Sequence, residues 1–267
     1  MVHAARSPGQ PPVRKLPLLN QSYRFVANSL RELGLFICYL LFSCNKSQHR
    51  VNIGIMNSLI PTFDAALRTL FAQPRASRAF KQPTTLDEHP ASLSDADKTH
   101  AGALMRVNHV GEICAQALYT AGALATSNPV TKEHFLAAAK EEADHLAWTQ
   151  TRLDELGARP SLLNPLWYVG AFGLGLIAGK LGDAVSFGFV SETEAQVEAH
   201  LGSHLELLPA GDHISRAIVA EMKADETRHG QEARQKMREL GATDLPAPVK
   251  VLMAAAAKVM TTVAHRI

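Results

Sequence analysis

The chain has 267 residues, enough for one large domain or two small ones, and 46% of them are apolar while only 6% are aromatic. Alanine and leucine dominate, which favours helices because both lose little side-chain freedom there. A formal charge of +2, with no basic stripe carrying interleaved aromatics, excludes a nucleic-acid binder. Cys38, Cys44 and Cys114 form no C-x-x-C pair and no disulfide framework, which points to a reducing compartment.

In chain order, the stretch 1–55 is unlike the rest. Met1 to Arg31 carries five Lys or Arg and no acid, as a transit peptide does. Leu33 to Phe42 is an apolar run of ten, too short to span a bilayer as a helix. Leu41-Phe42-Ser43-Cys44 faintly resembles a lipoprotein cleavage box, but the long polar approach argues against export. Met56 opens an amphipathic stretch to Phe71 and is a candidate start, with the preceding text an over-extended translation. Ala72 to Pro90, rich in Pro, Ser, Thr and charge, reads as a surface linker.

From Ser94 the pattern becomes helical throughout, with no alternation of period two and therefore no expected sheet. Ser94 and Asp97 open a helix over about 97–126. Asn128-Pro129 caps and starts a second, 129–156, which Gly157 ends with Pro160 beyond. An apolar segment covers 162–190, starting at Asn164-Pro165. It runs into a helix over about 184–208, broken at Pro209. Asp212 caps a fourth bundle helix, 213–240, closed by Gly241, and 249–264 forms a short apolar C-terminal helix. Two hairpins joined by one long crossover define an all-α, ferritin-like four-helix bundle. The expected organisation is an extension over 1–55, a helix and linker over 56–93, and a bundle domain over 94–267.

The chemistry lies in an internal duplication. Glu142-Ala-Asp-His145 recurs at an offset of 84 as Glu226-Thr-Arg-His229, and the same step takes Glu141 to Asp225 and Leu156-Gly157-Ala158 to Leu240-Gly241-Ala242. Residues three apart share a helix face, so each Glu-x-x-His presents a carboxylate and an imidazole to one side. A two-metal carboxylate bundle also needs one Glu from each of the other helices. Glu112 lies thirty residues before Glu142 and Glu194 thirty-two before Glu226, which completes four Glu and two His. Glu192 and Glu198 compete with Glu194, whose spacing fits best. Four converging carboxylates repel one another unless cations compensate, and two divalent ions offset four negative charges. Oxygen and imidazole donors without thiolate suit iron or manganese. Glu141 and Asp225 are candidates to receive the far nitrogen of the other helix's histidine. His109, His200 and His204 read as surface or supporting residues rather than ligands.

Arg106-Val-Asn-His-Val-Gly-Glu112 with Cys114-Ala-Gln-Ala-Leu-Tyr119 resembles the first metal motif of the demethoxyubiquinone hydroxylases. Glu142-Ala-Asp-His145, the stretch Glu192 to Leu201, and Asp225-Glu226-Thr-Arg-His229 are similar to the remaining motifs, and Leu245 to Met260 resembles the bacterial branch. The resemblance covers about Met56 to Ile267, leaving the stretch 1–55 without a counterpart. It implies a monooxygenase that hydroxylates a polyprenylated 6-methoxy-benzoquinol with dioxygen in ubiquinone synthesis. It also implies that Glu112, Glu142, His145, Glu194, Glu226 and His229 bind two Fe ions, some glutamates bridging. No catalytic residue beyond the ligands is expected.

Leu162 to Val190 carries only Lys180 and Asp183 as charges and six glycines. As the crossover it cannot span a bilayer, because a single span would put the two hairpins on opposite sides. Peripheral insertion through 162–190 and 249–264 is the expectation, on the cytoplasmic face of a bacterial inner membrane or the matrix face of the mitochondrial one. A homo-oligomer and an accessory lipid-binding protein stay open. The competing functions are a ferritin-like iron-storage or peroxide-detoxifying protein, and a metal-free helical scaffold. A storage shell has no need of an apolar crossover.

Overall fold

The computed structural model describes residues 49–81 and 93–267. The transit-like stretch, the Leu33–Phe42 run, the box at Cys44 and the 82–90 part of the expected linker lie outside them. Ile55–Ile267 form one compact unit. Among the described residues there are seven helices and no strand. They are α1 (His49–Phe71), α2 (Asp95–Ala125), α3 (Pro129–Glu155), α4 (Asn164–Lys180), α5 (Asp183–Leu207), α6 (His213–Glu239) and α7 (Ala247–Ala264). The protein is all-α and ferritin-like, with α2/α3 and α5/α6 as its two hairpins and α4 as the crossover.

Helix ends follow the local chemistry. Ser94, Asn128 and Asp212 accept backbone N–H bonds from Asp97, Val130 and Ser215 with their side chains, satisfying donors the first turn leaves open. Gly157 (φ 68°) and Gly241 (φ 76°) take the left-handed conformation just past α3 and α6. The duplication extends to these caps: Ala158 N–H donates to Leu153 O at 2.9 Å, and Ala242 N–H to Met237 O at 3.1 Å. Asn164 differs from expectation, since α4 starts on it with Leu163 as an N-cap that makes no side-chain bond. The apolar segment is not continuous either. Gly182, at φ 117°, breaks it where only glycine is comfortable, so it divides between α4 and the start of α5.

Two apolar layers fill the bundle. One gathers Leu104, Met105, Trp148, Leu201 and Met222; the other gathers Tyr119, Phe135, Phe187, Val190 and Ala233. The middle layer between them is polar. Glu112 lies on α2 between Met105 and Tyr119, and Glu142 and His145 on α3 between Phe135 and Trp148. Glu194 lies on α5 between Val190 and Leu201, and Glu226 and His229 on α6 between Met222 and Ala233. Full burial of each large apolar side chain stabilises the fold by roughly 1.5–3 kcal/mol. The same layers keep bulk water from the middle of the bundle.

Residues 73–81 depart from the loose surface linker that their composition suggests. They form a strap across α3 and α6, tied by Ser77 to Asp144 and by Arg78 to Glu221 and Asp225. Ala66 and Leu70 of α1 pack with Ile113 and Ala117 of α2 and Tyr168 of α4.

Candidate metal centre

The six residues singled out by spacing are all buried, from 0% exposed for Glu142 and His145 to 5% for His229. They meet in the polar layer between α2, α3, α5 and α6. Ligand atoms of Glu112, Glu142, His145 and Glu226 lie within 4.8 Å of one another. His229 adjoins this group, with Nδ1 at 2.8 Å from Glu142 and 3.4 Å from Glu226. Glu194 enters from α5, where Tyr119 donates to its Oε1 at 2.8 Å. Of the rival acids on α5, Glu192 is engaged elsewhere, accepting from Lys250 of α7 at 3.0 Å, and Glu198 is half-buried.

The arrangement is nearly twofold. Glu142 directs Oε2 to His145 Nδ1 at 2.9 Å and Oε1 to His229 Nδ1 at 2.8 Å. Glu226 does the same, with Oε1 at 3.1 Å from His145 Nδ1 and Oε2 at 3.4 Å from His229 Nδ1. These two carboxylates therefore reach both halves. Glu112 belongs to the His145 half, at 3.6 Å from Nδ1, and Glu194 faces His229 and Glu226. The far nitrogens point outward and cross over between the helices: His145 Nε2 donates to Asp225 at 2.9 Å, and His229 Nε2 to Glu141 at 3.2 Å. With Nε2 engaged outward, Nδ1 is the ring atom that faces the cluster.

Buried together, these groups need positive charge among them, from protons or from a cation. Burial pushes the Glu112 and Glu194 carboxyls well above the usual carboxylate range, and the other glutamates push the same way. Burial also acts against charge on Glu142, but the two imidazoles outweigh it and hold that carboxyl well below the usual range. Burial likewise opposes charge on the histidines. The surrounding carboxylates win, raising His145 well above an ordinary imidazole and His229 to about 11. Glu112 Oε2 is buried without a hydrogen bond, His145 Nδ1 at 3.6 Å lying too far to satisfy it. The donor set thus fits a metal, and a buried Glu/His cluster able to hold one is what the bundle encloses.

This predicts an unusual pH response. In the metal-free protein His229 binds its proton to about pH 11 when folded, against 6.5 as an ordinary imidazole. A raised folded value stabilises fully below the unfolded value and fades as pH climbs toward the folded one. Glu112 and Glu194, also raised, act with the same sign. With a chelator present, the melting temperature should therefore fall as pH rises from about 6.5 toward about 11. Metal-loaded protein should not show this fall, because the cations replace the protons. A flat profile for the chelated protein would contradict the charge balance described here.

Spacing alone missed two residues. Tyr119 lies two turns beyond Glu112 on the same face, a signal present in the sequence. Arg78, in the strap, has no such signal. His109 and His204 are not surface residues: they are 4% and 3% exposed, and burial lowers them to about 4 and about 3. His200 is half-buried, its ring 4.0 Å from that of His204. None of the three belongs to the cluster.

Comparison with known proteins gives this site its setting. The family described as "Ubiquinone biosynthesis protein COQ7" matches residues 99–264, which hold all six residues. The chain belongs to the COQ7 family. Its COQ7 relatives include proteins named 3-demethoxyubiquinol 3-hydroxylase. That of Albidiferax ferrireducens is 64% identical over 213 residues, 80% of this chain and 98% of the relative. That of Polaromonas naphthalenivorans is 67% identical over 204 residues, 76% and 94% respectively. That of Ralstonia pickettii is 53% identical over 221, covering 80% of this chain and all of the relative. An alignment of 213 residues in a chain of 267 must start by residue 55, and so takes in the strap at 73–81.

Proposed function

We propose that this COQ7-family chain is a di-iron 3-demethoxyubiquinol 3-hydroxylase, which adds one oxygen atom of O2 to the ring of a polyprenylated benzoquinol and releases the other as water. The observation that carries this reading is the convergence of four buried carboxylates and two imidazole Nδ1 atoms in one layer of the bundle. Glu142 and Glu226 would bridge two ions; Glu112 and His145 would complete one position, Glu194 and His229 the other. The ions, when bound, would supply the redox chemistry that activates dioxygen.

The chain's own residues do the rest. Asp225 and Glu141 hold protons on the outward Nε2 atoms and so fix the imidazole tautomers. Tyr119 donates to Glu194 and fixes which oxygen of that carboxylate stays free. The apolar layers exclude water that would quench the oxidant. We also propose that the protein works at a membrane surface, in bacteria the cytoplasmic face of the inner membrane, reached by α4 and α7. Among the described residues α7 is the one helix long and apolar enough to cross a membrane, with a mean hydropathy of 1.4 and 6% of it buried. Its apolar exposure disfavours a soluble iron-storage shell.

The test is anaerobic purification of the full chain, metal analysis, and turnover of demethoxyubiquinol with O2 and a reductant. Two irons per chain and a hydroxylated quinol are expected. Full activity from iron-free protein, or iron uptake far beyond two per chain without any quinol product, would end the reading.

A further inference from the structure

The two halves of the duplication differ at a position that matters for the centre. Around His229, the imidazole donates to Glu141, and Arg228 Nη2 donates to the same carboxylate oxygen at 2.5 Å. Arg228 is the third residue of Glu226-Thr-Arg-His229. Its equivalent in the first copy of the repeat is Asp144, an acid, so that copy cannot supply its own cation. The carboxylate on His145 is Asp225, and the cation beside it is Arg78 of the strap, which donates from Nη2 to the very oxygen that receives His145 Nε2.

Asp144 does the converse job: it anchors the strap. Its carboxylate accepts from the Ser77 N–H at 2.5 Å and the Ser77 hydroxyl at 3.0 Å, and lies 3.7 Å from Arg78 Nε. Arg78 Nη1 donates to Glu221 Oε1 at 3.0 Å. The guanidinium stands 4.6 Å over the Trp148 ring, whose Nε1 donates to the Arg78 carbonyl at 3.1 Å. A fork fixed at three points, on an aromatic face, can set the direction of a carboxylate in a way that a mobile lysine cannot.

We propose that Arg78 is a positioning residue of the metal centre. The strap at 73–81 delivers to Asp225, and through it to His145, the cation that Arg228 delivers to Glu141 and His229. Residues outside the 99–264 family match thereby belong to the site. The proposal rests on the metal-binding reading above. Arg228 also reaches Asp225, at a longer 3.4 Å and from a half-exposed position, so removing Arg78 loosens the His145 position rather than destroying it.

The test is anaerobic titration of the metal-free full chain with Fe(II), or with Co(II) as an optical probe. Wild type should take two ions. In Arg78→Gln one binding step should weaken by up to about 10-fold while the other holds, the low end of the range for losing a ligand histidine's direct partner, since Asp225 itself remains. Arg78→Lys, which keeps the charge without the fork, should fall between. A global loss of stability cannot weaken one step and spare the other, so that selectivity separates positioning from mere tethering. Two unchanged steps in Arg78→Gln would overturn the proposal. Should that variant fail to fold, two unchanged steps in Arg78→Lys would overturn it equally. A wild type that binds no metal would instead remove the metal reading, and the proposal would fall with it.

Discussion

Glu142→Ala should abolish metal binding at both positions and with it all hydroxylation, while also destabilising the metal-free protein by about 3–5 kcal/mol. The first effect follows from reach: Glu142 directs one oxygen at each histidine, so its loss opens both halves at once. The second follows from charge. In the absence of metal the two buried imidazoles hold their protons largely through Glu142, and removing it strands positive charge in a dry layer. Glu112→Gln should behave differently. That carboxyl is held well above its ordinary range by burial, so an amide replaces a neutral acid of nearly the same shape. Metal-free stability should change far less than in Glu142→Ala, while the ion on the His145 side is lost. Urea unfolding of both variants with chelator present, beside metal stoichiometry, checks the contrast. Equal destabilisation by the two changes would show that Glu142 does not carry the charge assigned to it.

The fold and the six-residue cluster were legible in the sequence for a common reason. Helix caps and the Glu-x-x-His spacing act within a few residues, and the internal repeat fixed which helices correspond. Even the crossed pairs, Asp225 with His145 and Glu141 with His229, follow from one acid preceding each motif. The strap was not legible, because what orders it is tertiary. A stretch of Pro, Ser and Arg has no periodicity to read. Arg78 gains its role from Trp148, Glu221 and Asp225, at sequence separations of 70, 143 and 147. The break at Gly182 was obscured in a similar way. Six glycines in an apolar run give no sign of which one adopts a positive φ.

Changing Leu166, Val169 and Ile177 together to serine should release the protein from lipid without harming the centre. The three are 59%, 63% and 61% exposed, on the side of α4 turned away from the bundle, with Leu162 and Leu181 continuing the stripe. The inner side of the same helix is small instead. A Cβ on Gly179 would lie 2.4 Å from Ala125 Cβ, and one on Gly175 would lie 3.1 Å from the Leu118 carbonyl. A water-facing helix places its large apolar residues inward and its polar ones outward. This one packs closely on α2 through glycine and turns leucine, valine and isoleucine outward, as helices in lipid do. α7 likewise turns Val251, Leu252 and Val259 outward, each more than 60% exposed, and large apolar side chains exposed in such number mark an interaction surface. Partial immersion stabilises by on the order of 1–2 kcal/mol per side chain, so the triple variant should bind vesicles roughly a hundredfold to ten-thousandfold less tightly. Flotation with liposomes measures this directly. Turnover of a long-chain quinol in vesicles should drop with binding, through KM, while kcat on a short-chain soluble quinol stays at the wild-type value. A variant that still floats, or that loses both activities together, would mean that this face packs on protein rather than lipid.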